Sequence, residues 1–245
     1  MKFKIPNTIT EKVSGWCPGC GHGIVTRMIA EAADELGVSE KVIIVRDVAC
    51  GNMISGATTY NNIGCAHGRP IITAAGAKRV RKDALVVAHI GDGAAYSIGI
   101  ESTIHAALRN ENITAIVINN SVFGMTGGQM SPATLVGQKT TSSPYGRDIE
   151  KNGSPFDVVK TLEKYDIAYL ARGSIDSPAE VTKTGKYIKK AFEKQLNGEG
   201  FCLIEILSQC PTNWRMSPVD SLKFMKEKQK VFYAVGEFVD KGGNK

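Results

Sequence analysis

Apolar residues along the chain fall into two alternating kinds of run. Short continuous stretches predict buried strands: Lys41 to Arg46 (KVIIVR), Ala84 to Ile90 (ALVVAHI), Ile113 to Ile118 (ITAIVI), Asp166 to Leu170 and Phe201 to Leu207 (FCLIEIL). Helical spacing separates them. Ile24, Met28, Ala32 and Leu36 recur on one face before Gly37, residues 69–82 are alanine-rich, and a further helix is expected at about 98–109. Ser177-Pro178-Ala179-Glu180 is a capping box with proline at the first helical position. It opens a helix whose Val181, Ile188, Phe192 and Leu196 share a face, and a last helix starts at Ser217-Pro218. Strands alternating with helices predict an α/β fold: a mostly parallel sheet with helices on both faces.

One stretch breaks the alternation. After Asn119-Asn120 runs SVFGMTGGQMSPATLVGQKTTSSPYGRD, rich in glycine, serine and threonine. A loop this long inside a compact domain is either functional or a sign of a wrong assignment. It follows a strand end, the edge where open α/β sheets bind ligands, so it is read as functional. No internal repeat, low-complexity tract or linker interrupts the chain. A single domain over 1–245 is expected, with an N-terminal C-x-x-C segment and a C-terminal helical extension.

Composition adds exclusions. The 245 residues are 42% hydrophobic and 22% charged, with a net charge of +6, ordinary for a globular protein. No apolar run has the length of a membrane span and the N-terminus has no signal-like apolar segment, so a cytoplasmic protein is expected. The densest basic cluster is Lys78, Arg79, Arg81 and Lys82. It reads first as a solvated helix end, and second as a docking patch for an acidic partner. No basic stripe interleaved with aromatics points to nucleic acid.

The candidate chemistry lies at strand ends. The strand ALVVAHI runs into Gly91-Asp92-Gly93, which sets a carboxylate at the ligand edge with glycines that permit close backbone approach. Asn120 ends the next strand, so a carboxylate and an amide carbonyl are offered to one point. Such hard oxygen ligands suit Mg²⁺ held together with phosphate oxygens. Six cysteines stand at 17, 20, 50, 65, 202 and 210. GWCPGCGHG holds a C-x-x-C that suits either dithiol exchange or metal ligation. Cys50 and Cys210 closely follow strands and would share the edge with Asp92 and Asn120. Four thiolates converging there would ligate a [4Fe–4S] cluster or a structural zinc, and spacing alone does not choose. Cys202, inside a strand, reads as core, and Cys65 as packing. His22 and His67 are the functional candidates, whereas His89 and His105 read as satisfied structural histidines.

GDGAAYSIGIESTIHAALRNENITAIVINN resembles the GDG…NN pattern of thiamine diphosphate enzymes. That resemblance implies Mg²⁺ on Asp92, Asn120 and the backbone of Val122. GWCPGCGHG, a cysteine after the next strand, HGR at His67 to Arg69, the GDG…NN pattern and a late Cys-Pro together resemble the β subunit of 2-oxoacid:ferredoxin oxidoreductases over nearly the whole chain. GMTGGQMSPATLVGQKTTSSPYGRD and CPTNW look most like the branched-chain (2-oxoisovalerate) type.

The resemblance implies a thiamine diphosphate-binding fold and oxidative decarboxylation of a 2-oxo acid to acyl-CoA and CO₂, with electrons passing through a [4Fe–4S] cluster to ferredoxin. Cys17, Cys20, Cys50 and Cys210 would bind the cluster. Ala49, Cys50, Gly51, His67, Gly91, Asp92, Gly93, Asn120, Val122, Gly124 and Met125 would bind the thiamine cofactor, with His67 in a catalytic role. Activity would require the α and γ/δ partner subunits, because no residue here marks the glutamate that the aminopyrimidine needs; Glu101 is wrongly placed for it. Gly127 stands where some relatives carry a lysine, which favours an uncharged branched-chain substrate. Ala94 replaces a second acidic residue found in many relatives. The alternatives are a pyruvate- or 2-oxoglutarate-specific member, or a non-ferredoxin thiamine decarboxylase or non-catalytic subunit with zinc at the cysteines.

Overall fold

The computed structural model describes residues 4–10 and 15–241. Among the described residues nine strands form: β1 Val42–Arg46, β2 Asn61–Gly64, β3 Leu85–Gly91, β4 Thr114–Asn119, β5 Val122–Phe123, β6 Gln129–Met130, β7 Tyr169–Ser174, β8 Cys202–Leu207 and β9 Gly236–Asp240. Seven of them make one sheet in the order β2-β1-β3-β4-β8-β7-β9, parallel throughout except for β9. β5 and β6 pair separately as a small antiparallel ribbon.

The central strands carry the continuous apolar runs expected of a sheet covered on both sides, and β4, β7 and β8 are buried at every position. Helices supply the cover. β3 reaches β4 through the helix Ile100–Leu108, whereas β7 reaches β8 in the opposite direction through Pro178–Leu196. Right-handed crossovers running in opposite directions put those helices on opposite faces. His22–Glu35 packs on Pro178–Leu196, and Pro70–Val80 packs on Ile100–Leu108.

Several boundaries differ from the sequence reading. The first helix starts at His22 and buries Val25, Met28, Ile29, Ala32 and Ala33, while Ile24 is exposed. Its buried stripe is broader than the four-residue ladder and rotated from it. On Pro178–Leu196, Ile188 and Phe192 are buried but Leu196 is exposed at the helix end. β7 lies at Tyr169–Ser174 rather than Asp166 to Leu170, because a buried Arg172 paired with Glu205 on β8 belongs to the strand. The C-terminal extension is not purely helical: its described part includes β9, which covers the edge of β7. The exposed edge strand β2 carries no apolar period and was not expected.

The basic cluster is largely neutralised. Lys78 is buried and donates to the carbonyls of Lys82 and Ala84, Arg79 pairs with Glu111, and Arg81 with Asp83. Lys78 and Arg79 do lie in the last turn of Pro70–Val80, but Lys78 is buried rather than solvated, and Arg81 and Lys82 follow the helix. Among the described residues, no helix is long and apolar enough to cross a membrane.

Candidate cofactor site

The chain leaves β1 towards β2 on one side and returns to β3 on the other, which opens a crevice at the C-terminal strand ends. A cavity of about 290 Å³ occupies this place. Asp47 to Gly51 line one side, Gly91 to Ala94 the floor, Asn120 and Val122 to Thr126 the other side, with His22 and His67. All eleven positions expected to bind the thiamine cofactor lie in its wall.

Asp92 is the electrostatic centre. Its carboxylate is buried, accepting from the Ser131 hydroxyl at 2.5 Å and from the Asn120 amide at 3.3 Å. Burial pushes its carboxyl up to about 7, against the opposing pull of those two donors. Among the described residues no cationic side chain pairs with it. A buried carboxylate without a countercharge, in a cavity that Asn120 also lines, suits a hard cation. The Asn120 oxygen here accepts from the Val122 amide at 3.3 Å.

His67 reaches the cavity under the control of a residue that sequence reading missed. Asp47, fully buried just after β1, accepts from His67 Nδ1 at 3.0 Å and from the Gly68 amide at 2.8 Å. A carboxylate on Nδ1 fixes the tautomer and leaves Nε2 as the nitrogen free to exchange a proton. The only sequence signal was a lone acidic residue at a strand end. Val48, Phe123 and Thr126 in the wall, and Ser131 behind Asp92, were also missed.

The cysteine-bearing segments meet at the rim of this cavity. Trp16 donates its indole N–H to the Cys50 carbonyl at 2.8 Å, and Gln209 donates to the Gly19 carbonyl at 2.9 Å. Asn213 donates to the Gly124 carbonyl at 2.8 Å and lies 3.4 Å from Cys210 Sγ. Gly124 is a close approach: a Cβ there would lie 3.3 Å from Cys50 Sγ and 3.7 Å from the side chains of both Asn120 and Asn213. Burial, with smaller contributions from the neighbouring thiols, pushes Cys20 up to about 12 and Cys50 up to about 11. Cys210 is raised by burial, with Cys17 adding to it. The four thiols thus share one electrostatic neighbourhood, without disulfides. Among the described residues, no three His, Cys, Asp or Glu side chains are drawn together closely enough to hold a metal ion.

The other candidates separate. Cys202 is buried within β8, and Cys65 is half-buried against the core. His105 is exposed, and Glu101 pairs with Arg69 outside the cavity. His89 departs from expectation: it is fully buried, yet among the described residues its ring nitrogens make no well-formed hydrogen bond, the Gly51 backbone being the polar group nearby. His22 packs edge-on against it at 5.7 Å, with its Nδ1 3.4 Å from Cys20 Sγ. Burial holds both rings neutral, lowering His22 to about 3 and His89 to about 4.

Comparison with known proteins bears directly on this cavity. The thiamine pyrophosphate enzyme family, C-terminal TPP binding domain, matches residues 47–206. The chain belongs to this family. Within the thiamine pyrophosphate enzymes its relatives are subunits of 2-oxoacid oxidoreductases. It is 38% identical to the ketoisovalerate oxidoreductase subunit VorA of Methanothermobacter thermautotrophicus, over 92% of this chain and 48% of that protein. It is 37% identical to the 2-oxoglutarate synthase subunit KorB of Archaeoglobus fulgidus, over 86% of this chain and 75% of that one. The chain thus spans about half the length of the ketoisovalerate relative. The 2-oxoglutarate:ferredoxin oxidoreductase from Magnetococcus marinus, solved with 2-oxoglutarate, coenzyme A and succinyl-CoA bound, superposes with a TM-score of 0.80 at 25% identity, over 99% of this chain and 87% of that one. The likeness confirms the parallel-sheet thiamine fold.

Proposed function

We propose that this chain is the thiamine diphosphate-binding β subunit of a CoA-acylating 2-oxoacid:ferredoxin oxidoreductase that acts on branched-chain 2-oxo acids. The observation that carries the reading is one cavity whose floor is the buried, uncompensated Asp92 and whose rim is built from cysteine-bearing segments. Asp92, Asn120 and the Val122 carbonyl would hold Mg²⁺. Cys17, Cys20, Cys50 and Cys210 would hold a [4Fe–4S] cluster.

When bound, thiamine diphosphate supplies the carbon nucleophile and electron sink for decarboxylation, Mg²⁺ anchors its diphosphate, and the cluster accepts electrons for ferredoxin. The chain's own residues do the rest. Asp92 and Asn120, from adjacent strand ends, would hold the metal and so orient the cofactor diphosphate. Asp47 holds His67 so that Nε2 can take or return a proton within the cavity. Val48, Phe123 and Met125 surround the opening, and no lysine or arginine is among the described residues lining it. That supports an uncharged substrate side chain. Thiolate ligands suit a cluster, and the iron reading is supported by the resemblance of the cysteine pattern to the β subunit of 2-oxoacid:ferredoxin oxidoreductases.

Six free thiols suit a reducing compartment, and we assign the protein to the cytoplasm. Glu101, committed to Arg69, supplies no group to the cavity, so α and γ/δ partner subunits are expected to complete the site. The test is anaerobic purification with the partner subunits, followed by iron, zinc and thiamine analysis and CoA-dependent turnover. Bound iron, and preference for 2-oxoisovalerate over 2-oxoglutarate, are expected. Zinc in place of iron, a preference for 2-oxoglutarate, or full activity of the chain alone would each refute the corresponding part.

A further inference from the structure

Asn120 and Val122 both line the cavity, and the backbone turns sharply between them. The turn is made at Ser121, which is fully buried and sits at φ 59°. A serine gains nothing by itself from this left-handed conformation, where Cβ crowds the following carbonyl. Neighbouring groups must hold it there.

Those groups are identifiable. The side-chain oxygen of Asn119 accepts from the Ser121 amide at 3.1 Å. Thr134 donates to the Ser121 carbonyl at 2.6 Å, and Gln229 donates to the Asn119 carbonyl at 2.9 Å and to the Ser121 hydroxyl at 3.0 Å. Asn119 itself is oriented from the other side. Its Nδ2 donates to Glu205 Oε1 at 2.8 Å, an oxygen that also accepts from the Tyr96 hydroxyl at 2.9 Å. The second Glu205 oxygen pairs with Arg172. A carboxylate can only accept, so it selects the amide orientation in which the Asn119 oxygen faces the Ser121 N–H.

We propose that Asn119, oriented by Glu205, is the positioning residue that holds the Ser121 turn in the form that presents Asn120 and Val122 to the metal. This rests on the thiamine diphosphate–Mg²⁺ reading of the cavity. Asn119 itself touches neither cofactor nor substrate. Its effect passes through the conformation of one residue, so a change that makes that conformation easy should replace it.

The experiment measures Mg²⁺–thiamine diphosphate affinity by calorimetry on the full chain within its oligomer, after stripping both cofactors. The stripped wild type must rebind the pair; failure there would refute the functional reading and the inference together. Asn119→Ala should bind about tenfold more weakly, the scale of one lost buried hydrogen bond plus a relaxed turn. Adding Ser121→Gly to that variant should restore affinity to within about threefold, because glycine enters the left-handed region freely. Asn119→Ser keeps an acceptor for the Ser121 N–H but loses the bond to Glu205, and should remain within about threefold of wild type.

A merely structural role predicts the reverse: Asn119→Ser as weak as Asn119→Ala, and no rescue by glycine. Either result overturns the proposal, as does an Asn119→Ala affinity within about twofold of wild type. Should Asn119→Ala not fold, Asn119→Ser decides alone, and binding weakened more than about fivefold overturns the proposal.

Discussion

The two halves of the cavity rim are built in different ways. On the Asp92 side, the residues sit at the ends of hydrogen-bonded parallel strands, and the protein already satisfies most of their polar atoms. On the cysteine side, three separate segments are tied by a few side-chain-to-backbone bonds, and burial, with smaller contributions from neighbouring thiols, raises the pKa of Cys20 and Cys50. The sheet supplies a preformed seat, whereas the cysteine corner gathers ligands whose charged form requires something positive between them. The strand-end half should therefore fold without its ligand, and the cysteine half should depend on it.

The largest expected effect tests that dependence. Cys50→Ser should reduce bound iron and its absorbance near 400 nm to background in anaerobic preparations, while thiamine diphosphate binding, for which Cys50 is one wall position among several, weakens by less than about tenfold. Iron retained at the wild-type level would show that Cys50 is not a ligand.

Asp92→Asn should separate binding from stability. Losing the charged ligand should weaken Mg²⁺–thiamine diphosphate binding by about a hundredfold. The cofactor-free protein should melt a few degrees higher, because an uncompensated buried carboxylate is gone. A lower apo melting temperature would mean that the carboxylate already has a stabilising partner.

A smaller effect is expected at Trp16→Phe, which removes the bond to the Cys50 carbonyl but keeps the aromatic body. Stability should fall by about 1 kcal/mol, and iron should leave several-fold faster in the presence of a chelator. Unchanged release would loosen the link drawn between these segments. Arg81→Ala, at an exposed pair with Asp83, should leave the melting temperature and both binding activities unchanged. A measurable loss there would revive the basic cluster as a docking surface.

The same contrast explains what could be read from sequence. β1, β3, β4 and β8 declared themselves because strands buried on both faces need unbroken apolar runs, and Asp92 and Asn120 followed from where those runs end. β7 was misplaced because Arg172 makes it look like a loop, and its partner Glu205 is distant in sequence. Asp47 and Ser131 were invisible for a related reason. Each acts on a residue far along the chain, His67 and Asp92 respectively, so no local spacing records the pairing. The stripe on the first helix was rotated because Val25, Ile29 and Ala33 are fully buried, whereas Ile24, one of the residues used to find it, is exposed.

The short helix Pro211–Trp214 spans both halves. Cys210 sits at its start, Asn213 holds the Gly124 carbonyl, and the Trp214 indole donates to the Asn120 carbonyl at 3.0 Å. One helical turn thus acts as a ruler, with a thiol at one mark and the metal turn at another. Its length is under stronger constraint than its composition. A conservative replacement within it can be absorbed, but one residue inserted between Cys210 and Trp214 must detach the strand-end turn or the cysteine.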